Sequence, residues 1–121
     1  MGDSLTILLV DDQPNIREVV SDELTASGYR VLTAGDGSEA LEFLGQGGVD
    51  LILLDWHMPA MDGHTFLDHK FGDARFSSIP VIICSGLAEA EDISHSVEDV
   101  LQKPFSIAQL RKAIQAALAS G

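Results

Sequence analysis

The chain has 121 residues, of which 45% are hydrophobic and 21% are charged. This composition is typical of one globular domain with a core of its own, and we expect a single domain over residues 1–121. Seven Lys and Arg against 19 Asp and Glu give a net charge of −12. Such a surface repels phosphate backbones and anionic lipids, which argues against direct binding of nucleic acid or membrane. The chain shows neither a signal peptide nor an apolar run of roughly 18 residues, so we expect a cytoplasmic protein.

Five short apolar segments predict the strands of a parallel sheet. Three of them run almost without interruption and stop at polar residues, as strands buried on both faces do. The single cysteine, Cys84, ends one of these runs and is predicted to be a buried thiol without a disulfide. In chain order the predicted strands are residues 5–10, 30–34, 49–54, 79–84 and 100–102.

The segments between the strands have helical spacing. The first predicted helix begins at Pro14 and ends at Gly28, and the last follows Ser106 as its N-cap. Three others are predicted around residues 40–44, 66–67 and 88–95. In the first helix the apolar face is Ile16, Val19, Val20 and Leu24, and the solvent face is Arg17, Glu18, Asp22 and Glu23. Strands that alternate with helices predict right-handed crossovers and an α/β domain with both sheet faces covered.

Polar side chains follow four of the predicted strands, at the edge where ligands bind in such folds. They are Asp11 and Asp12, Asp55, Ser85 and Lys103. A single Asp after a strand is commonly a turn former or a helix cap, but this set at successive strand ends indicates one shared site. Three carboxylates close together repel one another, and a divalent cation would neutralise them. Oxygen ligands alone favour Mg²⁺.

Four motifs occur in a fixed order along the chain. They are Leu-Val-Asp-Asp at 9–12, Leu-Leu-Asp-Trp-His-Met-Pro-Ala-Met-Asp-Gly at 53–63, Ser-Gly at 85–86 and Lys-Pro-Phe at 103–105. With these motifs, residues 7–118 resemble the receiver domain of two-component response regulators. The resemblance implies a doubly wound, flavodoxin-like (βα)5 fold with a five-stranded parallel sheet in the order 2-1-3-4-5.

The resemblance also implies roles for the acids. Asp55 would be the phosphoacceptor, whose carboxylate attacks a phosphoryl group in line to form an acyl phosphate. Asp12, Asp55 and the backbone carbonyl of His57 would bind Mg²⁺, or Mn²⁺ in its place. Asp11 would act on the metal through a water molecule.

The remaining roles implied by the resemblance concern the phosphoryl group. Lys103 would pair with its oxygens, and Pro104 would shape the loop that aims Lys103. Ser85 would donate its hydroxyl on activation. Gly86, which has no side chain, would leave the phosphoryl oxygen accessible.

Two features depart from the family pattern. Val100 stands where the family usually has an aromatic ring that changes rotamer, and valine is stiff at χ1. Lys103 follows Ser85 by 18 positions, which is about one helical turn shorter than is typical. The shortened stretch is acidic, so we predict that residues 88–101 bind a different output partner from that of a typical receiver, or signal weakly.

These inferences predict a phosphoacceptor signalling domain of a two-component phosphorelay. It would take its phosphoryl group from a sensor histidine kinase or a histidine phosphotransfer protein, and it would catalyse only its own phosphorylation and dephosphorylation. The output partner is not encoded in the motifs, and we expect a monomer or weak dimer.

Three alternatives remain beside this interpretation. A phosphatase with an Asp nucleophile would need a second acid two residues after Asp55, where His57 stands. A flavodoxin-like cofactor binder would need a phosphate loop where Asp11 and Asp12 stand, and their charge would repel phosphate. A pseudo-receiver would act as a phosphorylation-independent interaction module, and the Val100 departure keeps this alternative open.

Overall fold

The computed structural model describes residues 5–11, 13–55, 68–70, 72–85, 99–102 and 106–120. Within these ranges, the elements are β1 (Thr6–Val10), α1 (Pro14–Ala26), β2 (Arg30–Ala34), α2 (Gly37–Gln46), β3 (Leu51–Asp55), β4 (Val81–Ser85), β5 (Asp99–Gln102) and α3 (Ile107–Ser120). Strands and helices alternate from β1 to β3 as the sequence predicts, and a helix follows β5. Residues 68–70 are also helical. The helices predicted around 66–67 and 88–95 lie outside the described residues. No helix in the described part of the chain has the length and hydropathy needed to cross a membrane.

The five strands form one parallel sheet in the order β2-β1-β3-β4-β5. This confirms the predicted fold class and strand order. The ends of two strands differ from the prediction, because Asp55 and Ser85 are the last residues of β3 and β4 rather than the first residues beyond them. Each remains in the sheet because it pairs with a neighbouring strand, Asp55 with Cys84 and Ser85 with Gln102.

Two apolar layers cover the sheet, one on each face. Successive strand residues point to opposite faces, so β1 contributes Leu8 to one layer and Leu9 to the other. The first layer includes Ala40 and Leu44 of α2. The second includes residues of α1 and α3, namely Leu24, Leu110, Ala113, Ile114 and Ala117. The faces therefore differ in which helices cover them, and α1 and α3 share one face.

The ends of the helices follow local sequence rules. At α3 the backbone N–H of Gln109 donates to Ser106 Oγ at 3.1 Å, and the N–H of Ser106 donates to Gln109 Oε1 at 2.8 Å. This reciprocal capping box confirms Ser106 as the N-cap. After α1, Gly28 has φ of 99°, a left-handed conformation that glycine adopts without steric cost.

The apolar face predicted for α1 is only partly correct. Leu24 is fully buried, but Ile16 is 40% exposed and Val19 is 59% exposed. Because α1 begins at the carboxyl edge of the sheet, its first two turns have fewer strand side chains to cover. Both residues therefore remain accessible, and Ile16 lines a cavity together with Asp11 and Asp55.

Candidate functional site

The carboxyl edge of the sheet places two of the predicted acids side by side. Val10 of β1 is aligned with Leu54 of β3, so Asp11 and Asp55 follow at neighbouring positions. Adjacent strands lie about 5 Å apart. The site acids are therefore brought together by sheet pairing, although 44 positions separate them in the sequence.

Asp11 and Asp55 are both buried, with only 4% and 5% of their surfaces exposed. They line one small cavity of about 30 Å³ between the sheet, α1 and α3. This space holds about one water molecule. The other lining residues are Leu9, Val10, Ile16, Val20, Leu53, Cys84 and Leu110. The two carboxylates therefore share a site whose remaining walls are mainly apolar.

Three hydrogen bonds with other described residues hold Asp11 in place. Its backbone N–H donates to the carbonyl oxygen of Ala34 at 3.0 Å, which extends the contact between β1 and β2 by one residue. Its Oδ1 accepts from the N–H of Gln13 at 2.9 Å. Its carbonyl oxygen accepts from Arg17 Nη1 at 2.7 Å. Both the side chain and the main chain of Asp11 are thus anchored.

The backbone of Ser85 lies at the same edge and pairs with Gln102. Lys103 follows Gln102 in the sequence, but it lies outside the described residues. The same is true of Asp12, His57, Gly86 and Pro104, whose predicted roles stay predictions. Val100 lies in β5 and is aligned with Ile83, so the position that departs from the family pattern is a strand residue.

The donor chemistry of the described acids fits Mg²⁺. Carboxylate oxygens are hard ligands, and the acids Asp11 and Asp55 both line this cavity. Among the residues that the structure describes, no group of three or more His, Cys, Asp or Glu is assembled around a common point. Two predicted ligands, Asp12 and His57, lie outside that part of the chain.

Three residues with buried or specifically bonded side chains were not recognised as important from the sequence. Arg17 was placed on the solvent face of α1 but is half-buried and bonded to Asp11. Cys84 was expected only in the core, yet it lines the cavity with Asp55. Lys70 is 1% exposed and donates to the carbonyl oxygen of Ser77 at 3.0 Å. Nothing in the sequence indicates that Lys70 is buried. For Arg17, its position six residues after Asp11, in the first turns of the next helix, is a signal that could have placed it near the acids.

Comparison with known proteins identifies the family. Residues 7–115 match the response regulator receiver domain, and the chain belongs to that family, as its motifs predict. The transcriptional activator protein PfeR of Pseudomonas aeruginosa is 37% identical over 108 residues, which cover 86% of this chain and 34% of PfeR. The chain spans 34% to 48% of the length of four transcriptional regulators that it matches.

Solved structures agree with this assignment. The chemotaxis response regulator CheY4 of Vibrio cholerae has a TM-score of 0.88 at 31% identity, with 96% of this chain and 100% of that chain covered. The receiver domain of the sensor histidine kinase PA1611 of P. aeruginosa has a TM-score of 0.90 at 28% identity, with 97% and 99% covered. The latter structure has a magnesium ion coordinated in its active site cleft.

Proposed function

We propose that this domain accepts a phosphoryl group on Asp55 in a Mg²⁺-dependent reaction, and that the phosphorylated domain presents a changed surface to a partner. The observation that carries the proposal is the pair of buried carboxylates, Asp11 and Asp55, side by side at the carboxyl edge of the sheet. Structural acids are rarely buried together in this way, because each raises the cost of ionising the other.

The proposed reaction is an in-line transfer. A carboxylate oxygen of Asp55 attacks the phosphorus atom of the donor, and the bond from phosphorus to the leaving group breaks with its electron pair. The product is an acyl phosphate on Asp55. Asp12, Asp55 and the backbone carbonyl of His57 would hold Mg²⁺, with Asp11 acting through a water molecule, and the ion would neutralise charge on the transferring group. Mn²⁺ would suit the same oxygen ligands.

The other predicted residues complete this proposal. Lys103 would pair with the phosphoryl oxygens, and Pro104 would shape the loop that carries it. Ser85 would donate its hydroxyl to a phosphoryl oxygen, and Gly86 would leave that oxygen accessible. The placement of the Ser85 backbone at the same edge as Asp55 supports its role.

A sensor histidine kinase or a histidine phosphotransfer protein would supply the phosphoryl group in the cytoplasm. The similar proteins include a transcriptional activator and the receiver domain of a sensor histidine kinase, which supports a place in a phosphorelay. They do not share one output, so the output partner of this domain is open. We expect the domain itself to act as a monomer or weak dimer.

Labelling with a small phosphodonor tests the proposed function. The domain is incubated with acetyl phosphate and Mg²⁺, and its intact mass is measured. We expect one phosphoryl increment in the native chain, none in Asp55→Asn and none after chelation of Mg²⁺. Asp73→Asn is the matched control, because Asp73 is an acid in the segment that precedes β4, at the opposite end of that strand. An unlabelled native chain would favour a pseudo-receiver, and a labelled Asp55→Asn variant would move the acceptor elsewhere.

The output surface requires its own test. Residues 88–98 lie outside the described residues, so the proposal of an unusual partner rests on their acidity and on the short spacing from Ser85 to Lys103. NMR shifts are compared before and after binding of beryllofluoride with Mg²⁺, which mimics the phosphoryl group. Large shifts throughout residues 88–101, as in ordinary receiver activation, would contradict this proposal.

A further inference from the structure

Arg17 makes an unexpected contact beside the acids. It lies in the first turns of α1, where the hydrophobic pattern places it on the solvent face, but its side chain is half-buried. Its Nη1 donates to the carbonyl oxygen of Asp11 at 2.7 Å. This distance is typical of a hydrogen bond strengthened by the donor's charge.

The surroundings of Arg17 show that this contact is specific. Glu18 and Asp22 line the same surface groove as Arg17, yet the short hydrogen bond of its guanidinium goes to a main-chain oxygen. The guanidinium of Arg17 also lies close to Gly35 in the loop after β2. A methyl group built on Gly35 would stand only 3.3 Å from Arg17 Nη1. Arg17 therefore connects the loop after β1 with the loop after β2.

The accepting oxygen has a covalent connection to the site. It belongs to the peptide group that joins Asp11 to Asp12, and that planar group sets the direction in which the chain leaves Asp11. Oδ1 of Asp11 is separately held by the N–H of Gln13. The bond from Arg17 thus acts on the main-chain carbonyl of Asp11, at the point where the chain leaves the first acid.

We propose that Arg17 is a positioning residue for the Mg²⁺ site, which it supports by holding the main-chain carbonyl of Asp11. This inference rests on the proposed function, because it assumes that the site acids bind Mg²⁺. Groups that orient metal ligands from outside the ligand set commonly change metal affinity by a factor of 10 or more.

The test compares Arg17→Gln and Arg17→Lys with Arg111→Gln. Arg111 is the matched control, because its loss changes the net charge equally and removes only an exposed 3.6 Å ion pair with Glu23. Mg²⁺ binding is measured by titration calorimetry at constant ionic strength, and stability without Mg²⁺ is measured by urea unfolding. We expect Arg17→Gln to weaken Mg²⁺ binding about 10-fold, Arg17→Lys to restore part of the loss, and Arg111→Gln to bind like the native chain.

Three results would overturn the role of Arg17. The first is that Arg17→Gln binds Mg²⁺ as tightly as the native chain, whatever its stability. The second is that Arg111→Gln weakens Mg²⁺ binding as much as Arg17→Gln does. The third is that the native chain does not bind Mg²⁺. The first would leave Arg17 a structural tie between two loops, and the second would reduce its effect to net charge. Acetyl phosphate labelling reports on the proposed function separately. If the native chain is labelled and Arg17→Gln binds Mg²⁺ normally, only the role of Arg17 is contradicted. If the native chain is not labelled but Arg17→Gln binds Mg²⁺ more weakly, only the phosphoacceptor function is contradicted.

Discussion

Replacing Asp11 by Asn should stabilise the domain in the absence of Mg²⁺. The substitution keeps the size of the side chain. In the native chain the N–H of Gln13 donates to Asp11 Oδ1 at 2.9 Å, and the amide oxygen of Asn can accept the same bond. The substitution removes one of two acids that line the same cavity, where the residues are 4% and 5% exposed. The main change is therefore the loss of repulsion between Asp11 and Asp55.

The size of the effect follows from the sheet geometry. Neighbouring positions of adjacent strands lie roughly 5 Å apart. At an effective dielectric constant of about 20, two unit charges at that distance repel by about 3 kcal/mol. Positive groups near the edge of the sheet offset part of this repulsion, so we expect a net gain of about 1–2 kcal/mol in the free energy of unfolding. For a chain of 121 residues, that gain raises the melting temperature by about 4–8 °C.

Thermal unfolding with and without Mg²⁺ measures this prediction. Without Mg²⁺ the Asp11→Asn variant should melt above the native chain. With Mg²⁺ the difference should shrink or reverse, because the variant binds the ion less tightly and gains less from it. A matched Asp50→Asn variant controls for the loss of an acid, because Asp50 lies just before β3 and accepts from the N–H of Thr6 at the opposite edge of the sheet. A variant that melts below the native chain without Mg²⁺ would refute the assumed repulsion.

Three further predictions concern the scaffold. Ser106→Ala removes the N-cap of α3 and should lower the free energy of unfolding by about 1 kcal/mol in urea titration, whereas Ser106→Asp should keep most of it. Ile114→Ala empties a fully buried position and should cost about 2–5 kcal/mol by the same assay, and a smaller loss would mean that the core there refills. The side-chain and backbone hydrogen bonds from Arg75 lower the pKa of Asp73. The stabilisation from this pair is therefore complete above the pKa of Asp73 in the unfolded chain and is lost as pH falls through its lower pKa in the folded chain. Asp73→Asn should be less stable than the native chain near neutral pH and equally stable in strong acid. A difference in stability that does not change with pH would contradict this.

Much of the fold was predictable because its signals are local. The β1 strand is apolar from Ile7 to Val10 and buried at every position, as expected for a strand with helices on both faces. Ser106 is followed three residues later by Gln109, and this spacing alone predicts the capping box at α3. The sheet order and the family came from motifs whose order along the chain is specific, and both are confirmed.

Features that depend on distant contacts were harder to predict. The 3.6-residue period treats Ile16 and Val19 as core residues, but 40% of Ile16 and 59% of Val19 is exposed. The same period treats Arg17 as a solvated residue, although the loop after β2 and the Asp11 carbonyl partly bury it. Lys70 is buried against the Ser77 carbonyl, which no helical pattern predicts.

The sequence by itself determined the alternation of strands and helices, the excess of acids and the motifs that define a receiver domain. It could do so because periodicity, capping and motif order are properties of neighbouring residues. Only the tertiary structure decided that Asp11 and Asp55 stand side by side, nearly inaccessible to solvent and around one cavity, and that Arg17 holds the main-chain carbonyl of Asp11. The physical reason is that parallel pairing joins residues far apart in sequence, and their burial and partners exist only once the sheet and its covering helices have assembled.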